Sequence, residues 1–261
     1  MKKIVLAGLL VLAIAVVGSC SESKSSTKVE GSKISLVKEG NLTICSDIPY
    51  PPFEFMSGLV VAGFDADLMN YIADENKLSA NFVDTDFDEI FTSLEDGKCD
   101  VIASAVSITD ERKKLYSFSD PYYKISQSIL TVNSKASELT DLDKLEGKVV
   151  GVQSETTGEA LAQENSQGFG FSVTSYSDSD SLLDALKKGE IDAVIQDYPV
   201  NAYTSALTGT TKVTKKFDAV EEYGFVVAKN NNELLKNINS ALKDAKKDGT
   251  YNEIENTYFK S

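Results

Sequence analysis

Leu94-Glu95-Asp96-Gly97-Lys98-Cys99-Asp100-Val101-Ile102-Ala103-Ser104 and Leu186-Lys187-Lys188-Gly189-Glu190-Ile191-Asp192-Ala193-Val194-Ile195-Gln196 follow one pattern. Each reads as a helix end, a glycine where a left-handed backbone costs little, an aspartate and a buried strand. A single copy is ordinary in α/β chains. Two copies, each preceded by a strand and a helical segment, imply two similar lobes.

Outward from the first copy, residues 42–45 form an apolar strand broken by Pro49, Pro51 and Pro52. Phe64, Leu68 and Ile72 trace one helical face, 81–83 reads as a strand, and Ile90, Phe91 and Leu94 form a helix. Around the second copy, 148–152 is a strand, 157–163 a helix, 171–174 a strand, and Leu182, Leu183 and Leu186 another helix. Strands alternating with helices argue for an α/β fold with mainly parallel sheets. In such sheets ligands bind beyond the carboxyl ends of the strands. Here those ends are 47–50, 104–107, 153–157 and 196–197, which line one cleft if the lobes face each other.

Composition narrows what the cleft can do. The chain is 42% hydrophobic and 25% charged, as a globular protein should be. Its net charge of −14, or −16 without Lys2 and Lys3, makes it a poor partner for nucleic acid. The absence of histidine removes the commonest general base and zinc ligand together. Neither a metal cluster nor a nucleophilic triad is visible at the strand ends, and no cofactor is expected.

Lys2 and Lys3 precede an uncharged apolar run over 4–17, too short for a membrane span and suited to a secretory signal, residues 1–19. Val17-Gly18-Ser19-Cys20 follows and resembles a bacterial lipobox, which implies cleavage before Cys20 and lipidation of its thiol. Residues 21–32 are rich in Ser, Lys and Glu, and a flexible tether is expected over 20–37. Cys45 and Cys99 remain. A secreted context permits their pairing, but both sit in apolar runs where cysteine acts as a small hydrophobe, so a free buried pair is expected.

From about 42 to 259 the chain resembles the bacterial extracellular solute-binding proteins, family 3, closest to the glutamine and basic amino-acid binders. Four stretches carry the likeness: Asp47-Ile48-Pro49-Tyr50-Pro51-Pro52-Phe53-Glu54-Phe55, Gly63-Phe64-Asp65-Ala66-Asp67-Leu68, Ser107-Ile108-Thr109-Asp110-Glu111-Arg112 and Phe118-Ser119-Asp120-Pro121-Tyr122-Tyr123. Asp248-Gly249-Thr250-Tyr251-Asn252-Glu253-Ile254 adds a family-like helix start. The resemblance implies the two-lobed, type II periplasmic-binding-protein fold. Lobe one would comprise 38–123 and 225–261 and lobe two 127–221, with hinges near 122–126 and 221–225.

The resemblance also assigns roles. Arg112 would hold a ligand α-carboxylate through its planar fork, and Ser107 would bond the ligand through amide and hydroxyl. The Ala105 carbonyl and the Asp197 carboxylate would take the α-ammonium. Asp197 alternatively reads as a helix N-cap. Thr156 and Thr157 open a helix, where free amides attract a carboxylate; the family usually has glycine where this chain has Glu155. Tyr50 and Phe87 would sandwich the ligand, and Asp47, Gln153 and Gln196 would read its far end. Asp47 would repel a carboxylate, which favours glutamine, then arginine or lysine. Gly63 to Leu68 reads as structural, its first-turn acids suited to the helix dipole. The implied protein is a monomer that delivers an amino acid to ABC-importer permease subunits from outside the cytoplasmic membrane, held there by its lipid. Two other readings stay open: a cyclohexadienyl dehydratase-like enzyme using Glu155 or Asp47 as acid, and an amino-acid sensor lipoprotein.

Overall fold

The computed structural model describes Thr27–Lys28 and residues 34–259; the signal segment and Cys20 lie outside the described residues. β1 (Thr27–Lys28) pairs antiparallel with β2 (Ser35–Leu36). Ile34 and Leu36 are buried in the first lobe, so the folded body begins inside the stretch expected as tether.

The first lobe contains β3 (Asn41–Ser46), a hairpin of β4 (Phe55–Ser57) and β5 (Val60–Ala62), α1 (Phe64–Glu75), β6 (Ser79–Asp84), α2 (Phe87–Glu95), β7 (Val101–Ile102), α3 (Asp110–Leu115) and β8 (Tyr116–Phe118). The chain crosses on β9 (Tyr123–Ile125) to the second lobe. There it forms β10 (Gln127–Val132), β11 (Val149–Gln153), α4 (Thr157–Phe169), β12 (Ser172–Tyr176), α5 (Ser179–Lys188), β13 (Ala193–Asp197), α6 (Tyr198–Thr208) and β14 (Thr211–Lys216). It returns on β15 (Glu221–Tyr223) to β16 (Val226–Ala228), α7 (Asn232–Asp248) and α8 (Thr250–Phe259).

The two sheets match strand for strand. Their orders are β6-β3-β7-β16-β8 and β12-β11-β13-β10-β14. In each, three strands run parallel and the fourth, β16 or β10, is antiparallel to its neighbours. β9 and β15 pair with each other between the sheets. Strands covered by helices on both faces read as continuous apolar runs. Accordingly Ile44 and Val101 pack into one core cluster while Cys45 and Ile102 pack into another.

The repeated motif has one physical meaning in both lobes. Gly97 and Gly189 take φ of 68° and 75° at the ends of α2 and α5. Asp100 then accepts the Thr43 N–H at 2.8 Å, and Asp192 accepts the Val149 N–H at 2.9 Å. Each aspartate pins the first parallel strand of its lobe. Gly63 is required more strictly: at φ 128° a Cβ there would sit 2.1 Å from the Phe53 carbonyl oxygen.

Two further expectations need correction. Cys45 and Cys99 form a disulfide, with Cα atoms 5.7 Å apart. The register Cys45↔Ile102 between β3 and β7 brings Cys99 onto the same α2-facing side as Cys45, an adjacency that residue type alone does not carry. Helix α4 also runs six residues past its expected end at 163, because its last turns are polar and mostly exposed and leave no apolar period.

Candidate functional site

The strand ends meet in a narrow cleft lined by Asp47, Tyr50, Phe87, Ser104, Ala105, Ser107, Gln153, Thr156, Thr157 and Asp197. Nine of the eleven expected site residues are on this wall. Gln196 is not: its side-chain amide turns into the second lobe and donates to Ser179 Oγ at 3.0 Å. Arg112 stands behind the wall, its guanidinium over the rings of Phe91 (5.1 Å) and Phe87 (5.6 Å). It donates to the carbonyls of Ser107 (2.9 Å) and Glu155 (2.8 Å), one in each lobe. Burial lowers its pKa, and the charges of Glu221, Asp197 and Glu155 oppose that shift. Lys113 and Lys114 pair with Asp110 and Glu111 on the surface.

Asp197 opens α6, yet its carboxylate makes no capping bond. It accepts instead from Tyr50 OH (2.8 Å), Tyr223 OH (2.6 Å) and Gln127 Nε2 (2.5 Å). Tyr50 belongs to the first lobe and Gln127 to the second, so one carboxylate ties both lobes to the crossing strand that carries Tyr223. Burial pushes its pKa up to about 6, helped by Glu221 and resisted by its donors. The neutral forms of Tyr50 and Tyr223 are held by burial beside this charge, well above the usual tyrosine range.

At the other end Asp47 accepts from Gln153 Nε2 at 2.6 Å, again across the lobes. Burial raises it to about 7, with Asp86, Asp84 and Asp178 adding to the rise. Of these four acids only Asp47 lines the cleft; Asp84 and Asp86 are exposed. Thr156 caps α4 by accepting the Glu159 N–H, which leaves Thr157 at the first helical position beside the cavity. Glu155, where the family usually has glycine, takes φ 62°, and its N–H is held by Glu159. Ala105 likewise sits at φ 48°. Glu155 is exposed and does not line the cavity, which removes it as an acid for cleft chemistry.

Sequence reasoning missed Gln127, Tyr223 and Glu221, and placed Ser104 at a strand end on the cleft without giving it a role. Glu221 accepts from Ser107 Oγ (2.6 Å), Thr157 Oγ1 (2.8 Å) and Gln127 Nε2 (3.2 Å). The available signal was the presence of polar side chains in and next to strands that cross between lobes; only the fold shows that they face inward.

The wall of this cleft offers two buried carboxylates, hydroxyls and two rings, with the Arg112 guanidinium behind it. It contains no base paired with a nucleophile, and no His, Cys, Asp or Glu cluster among the described residues could hold a metal ion. With the paired sheets, the fold is that of a type II periplasmic binding protein. The chain belongs to the bacterial extracellular solute-binding proteins, family 3, which it matches over residues 42–261. It is 34% identical to a probable histidine-binding protein of Campylobacter jejuni, covering 80% of this chain and 81% of that one. It is 30% identical to the L-cystine-binding protein TcyJ of Escherichia coli, covering 95% and 93%. Among solved structures it is similar to an ancestral arginine-binding protein bound to glutamine, with TM-score 0.81 and 35% identity over 86% of this chain and all of that one.

Proposed function

We propose that this protein captures a free amino acid with a cationic side chain by closing its lobes, and delivers it to the permease subunits of an ABC importer. The observation that carries the ligand class is Asp47, a buried carboxyl on the cavity wall whose surroundings are made more negative by the charges of Asp86, Asp84 and Asp178 outside the wall. A side chain ending in a cation relieves that repulsion, whereas a neutral amide does so only through dipoles. Arginine and lysine therefore rank ahead of glutamine, which the sequence alone had favoured. The names of the histidine- and arginine-binding relatives support this ranking; the glutamine-bound ancestral protein keeps glutamine as a competitor.

The head group would lie between Asp197 and the Arg112 side. Ala105 would offer its carbonyl to the α-ammonium, and Ser107, Thr156 and Thr157 would meet the α-carboxylate beside Arg112. Tyr50 and Phe87 would flank the ligand, and Gln153 would join Asp47 at its tip. β9 and β15 would be the hinge. Ligand bonds made by both lobes exist only in the closed form, so binding shifts the population toward closure. The working protein would be a monomer outside the cytoplasmic membrane, anchored through a lipid on Cys20. Mass spectrometry of the membrane fraction tests that anchor: a diacylglyceryl adduct on Cys20 supports it, and an unmodified secreted chain refutes it.

A thermal-shift screen of the common amino acids with ornithine and cystine tests the ligand class, since a ligand raises Tm when it binds the folded form. The largest shifts are expected with arginine, lysine or ornithine. A largest shift with glutamine, or with an acidic amino acid, would overturn the ranking. A second reading makes Asp47, on the cavity wall, the acid of a dehydratase; turnover of prephenate or arogenate would replace transport by catalysis.

A further inference from the structure

Beneath the cleft floor lie two acids that the amino-acid-binding reading does not use. Glu54 and Asp65 have no exposed surface. Glu54 Oε1 accepts from Ser104 Oγ at 2.9 Å, and Ser104 Oγ in turn accepts the Asp47 backbone N–H at 3.0 Å. Asp65 Oδ2 accepts the Ala105 N–H at 2.9 Å and Tyr122 OH at 2.6 Å. The remaining oxygens, Glu54 Oε2 and Asp65 Oδ1, are buried with no partner among the described residues. Buried carboxylate oxygens without a donor are rare and costly. After burial itself, the charge of Asp65 is the largest influence raising Glu54. The other titratable groups facing the pair are Asp47, Asp197, Tyr50, Tyr122 and Tyr251; none supplies a cation.

We propose that Glu54 and Asp65 share one proton, Glu54 Oε2–H donating to Asp65 Oδ1, and that the pair positions the ligand-facing backbone of Ala105 and Asp47. One proton satisfies both orphan oxygens and leaves a single negative charge in an arrangement that already has three donors. That charge resides on Asp65, whose Oδ2 holds two donors against the one held by Glu54. Asp65 thereby holds the Ala105 N–H, with Ala105 in its left-handed conformation, and ties it to Tyr122 next to the crossing strand. These are positioning residues, since neither lines the cavity. The positioning half of the inference rests on the amino-acid-binding reading; the shared proton does not.

Two measurements test the halves separately. Infrared difference spectra of the ligand-free protein at about pH 8.5, where an ordinary carboxyl is fully ionised, should retain a protonated-carboxyl C=O band. Glu54→Gln should abolish that band. A wild-type spectrum without the band, or a band that survives in Glu54→Gln, overturns the shared proton whatever the ligand.

Calorimetry with the best amino acid tests positioning. Glu54→Gln supplies an amide donor to Asp65, and Asp65→Asn supplies one to an ionised Glu54, so each alone should hold affinity within about threefold. The double variant places two amide NH₂ groups against each other and should lose more than about thirtyfold. A double variant equal to the product of the singles contradicts the positioning role. Should the double variant not fold, either single losing more than about thirtyfold contradicts it equally.

Discussion

The Tyr50 hydroxyl donates to Asp197 across the cleft at 2.8 Å, joining the loop after β3 to the end of β13. The two residues are 147 positions apart and belong to different lobes. Their bond exists only while the lobes are together, so it contributes to closure and not to the folding of either lobe.

Tyr50→Phe should therefore separate binding from stability. A hydrogen bond to a charged acceptor contributes about 1.5–3 kcal/mol, and Asp197 keeps two other donors. Affinity for the amino acid should fall about tenfold, while the unfolding midpoint of the ligand-free protein moves by no more than a few degrees. Calorimetry and thermal melts on the same preparation check both.

The raised carboxyls set the direction of the pH response. Burial pushes Asp197 up to about 6 and Asp47 up to about 7. A bound ammonium or side-chain cation favours their ionised forms, so binding expels protons at any pH where they are still protonated. Affinity for a cationic amino acid should weaken as pH falls through 7 and 6. Titrations near neutrality should show proton release, read from heats in buffers of different ionisation enthalpy. For folding the sign is the reverse. The folded protein holds these protons after the unfolded chain has released them at about pH 4, so this contribution to stability is full below about 4 and is lost as pH rises to about 7.

The disulfide should support the first lobe without touching the ligand. Cys45 and Cys99 close a loop across 54 positions and lie away from the cavity wall. Reduction should lower stability by about 2–4 kcal/mol. Affinity measured on the reduced, still-folded protein should stay within about threefold.

Glu155→Gly puts glycine at a left-handed position, where a side chain costs about 1 kcal/mol, while freeing the unfolded chain by a similar amount. Stability should change by no more than about 1 kcal/mol in either direction. The Glu155 carbonyl that accepts from Arg112 is retained, so binding should be unaffected.

The fold was legible because its decisive signals are local. Gly97 with Asp100 and Gly189 with Asp192 are each a helix stop followed by a strand clamp, and both parts lie within a few residues. The cavity wall was legible where a strand end coincides with a recognisable stretch, as at Asp47, Tyr50, Ser107 and Thr157. Contacts set by register or by the meeting of lobes were not legible. Cys45 and Cys99 meet through a strand pairing, Glu221 collects hydroxyls from two lobes, and Gln196 rotates away because Ser179 offers it a partner. Asp65 looked like a first-turn helix acid, and only burial shows that it holds Ala105 and Tyr122 instead.

The central claim, a cationic ligand tip at Asp47, is tested most directly by comparing L-arginine with L-citrulline, its uncharged near-isostere, by calorimetry. The account predicts that arginine binds at least about tenfold more tightly to the wild type and that Asp47→Asn removes most of that preference. Citrulline binding as tightly as arginine to the wild type, or an arginine preference untouched in Asp47→Asn, would contradict it.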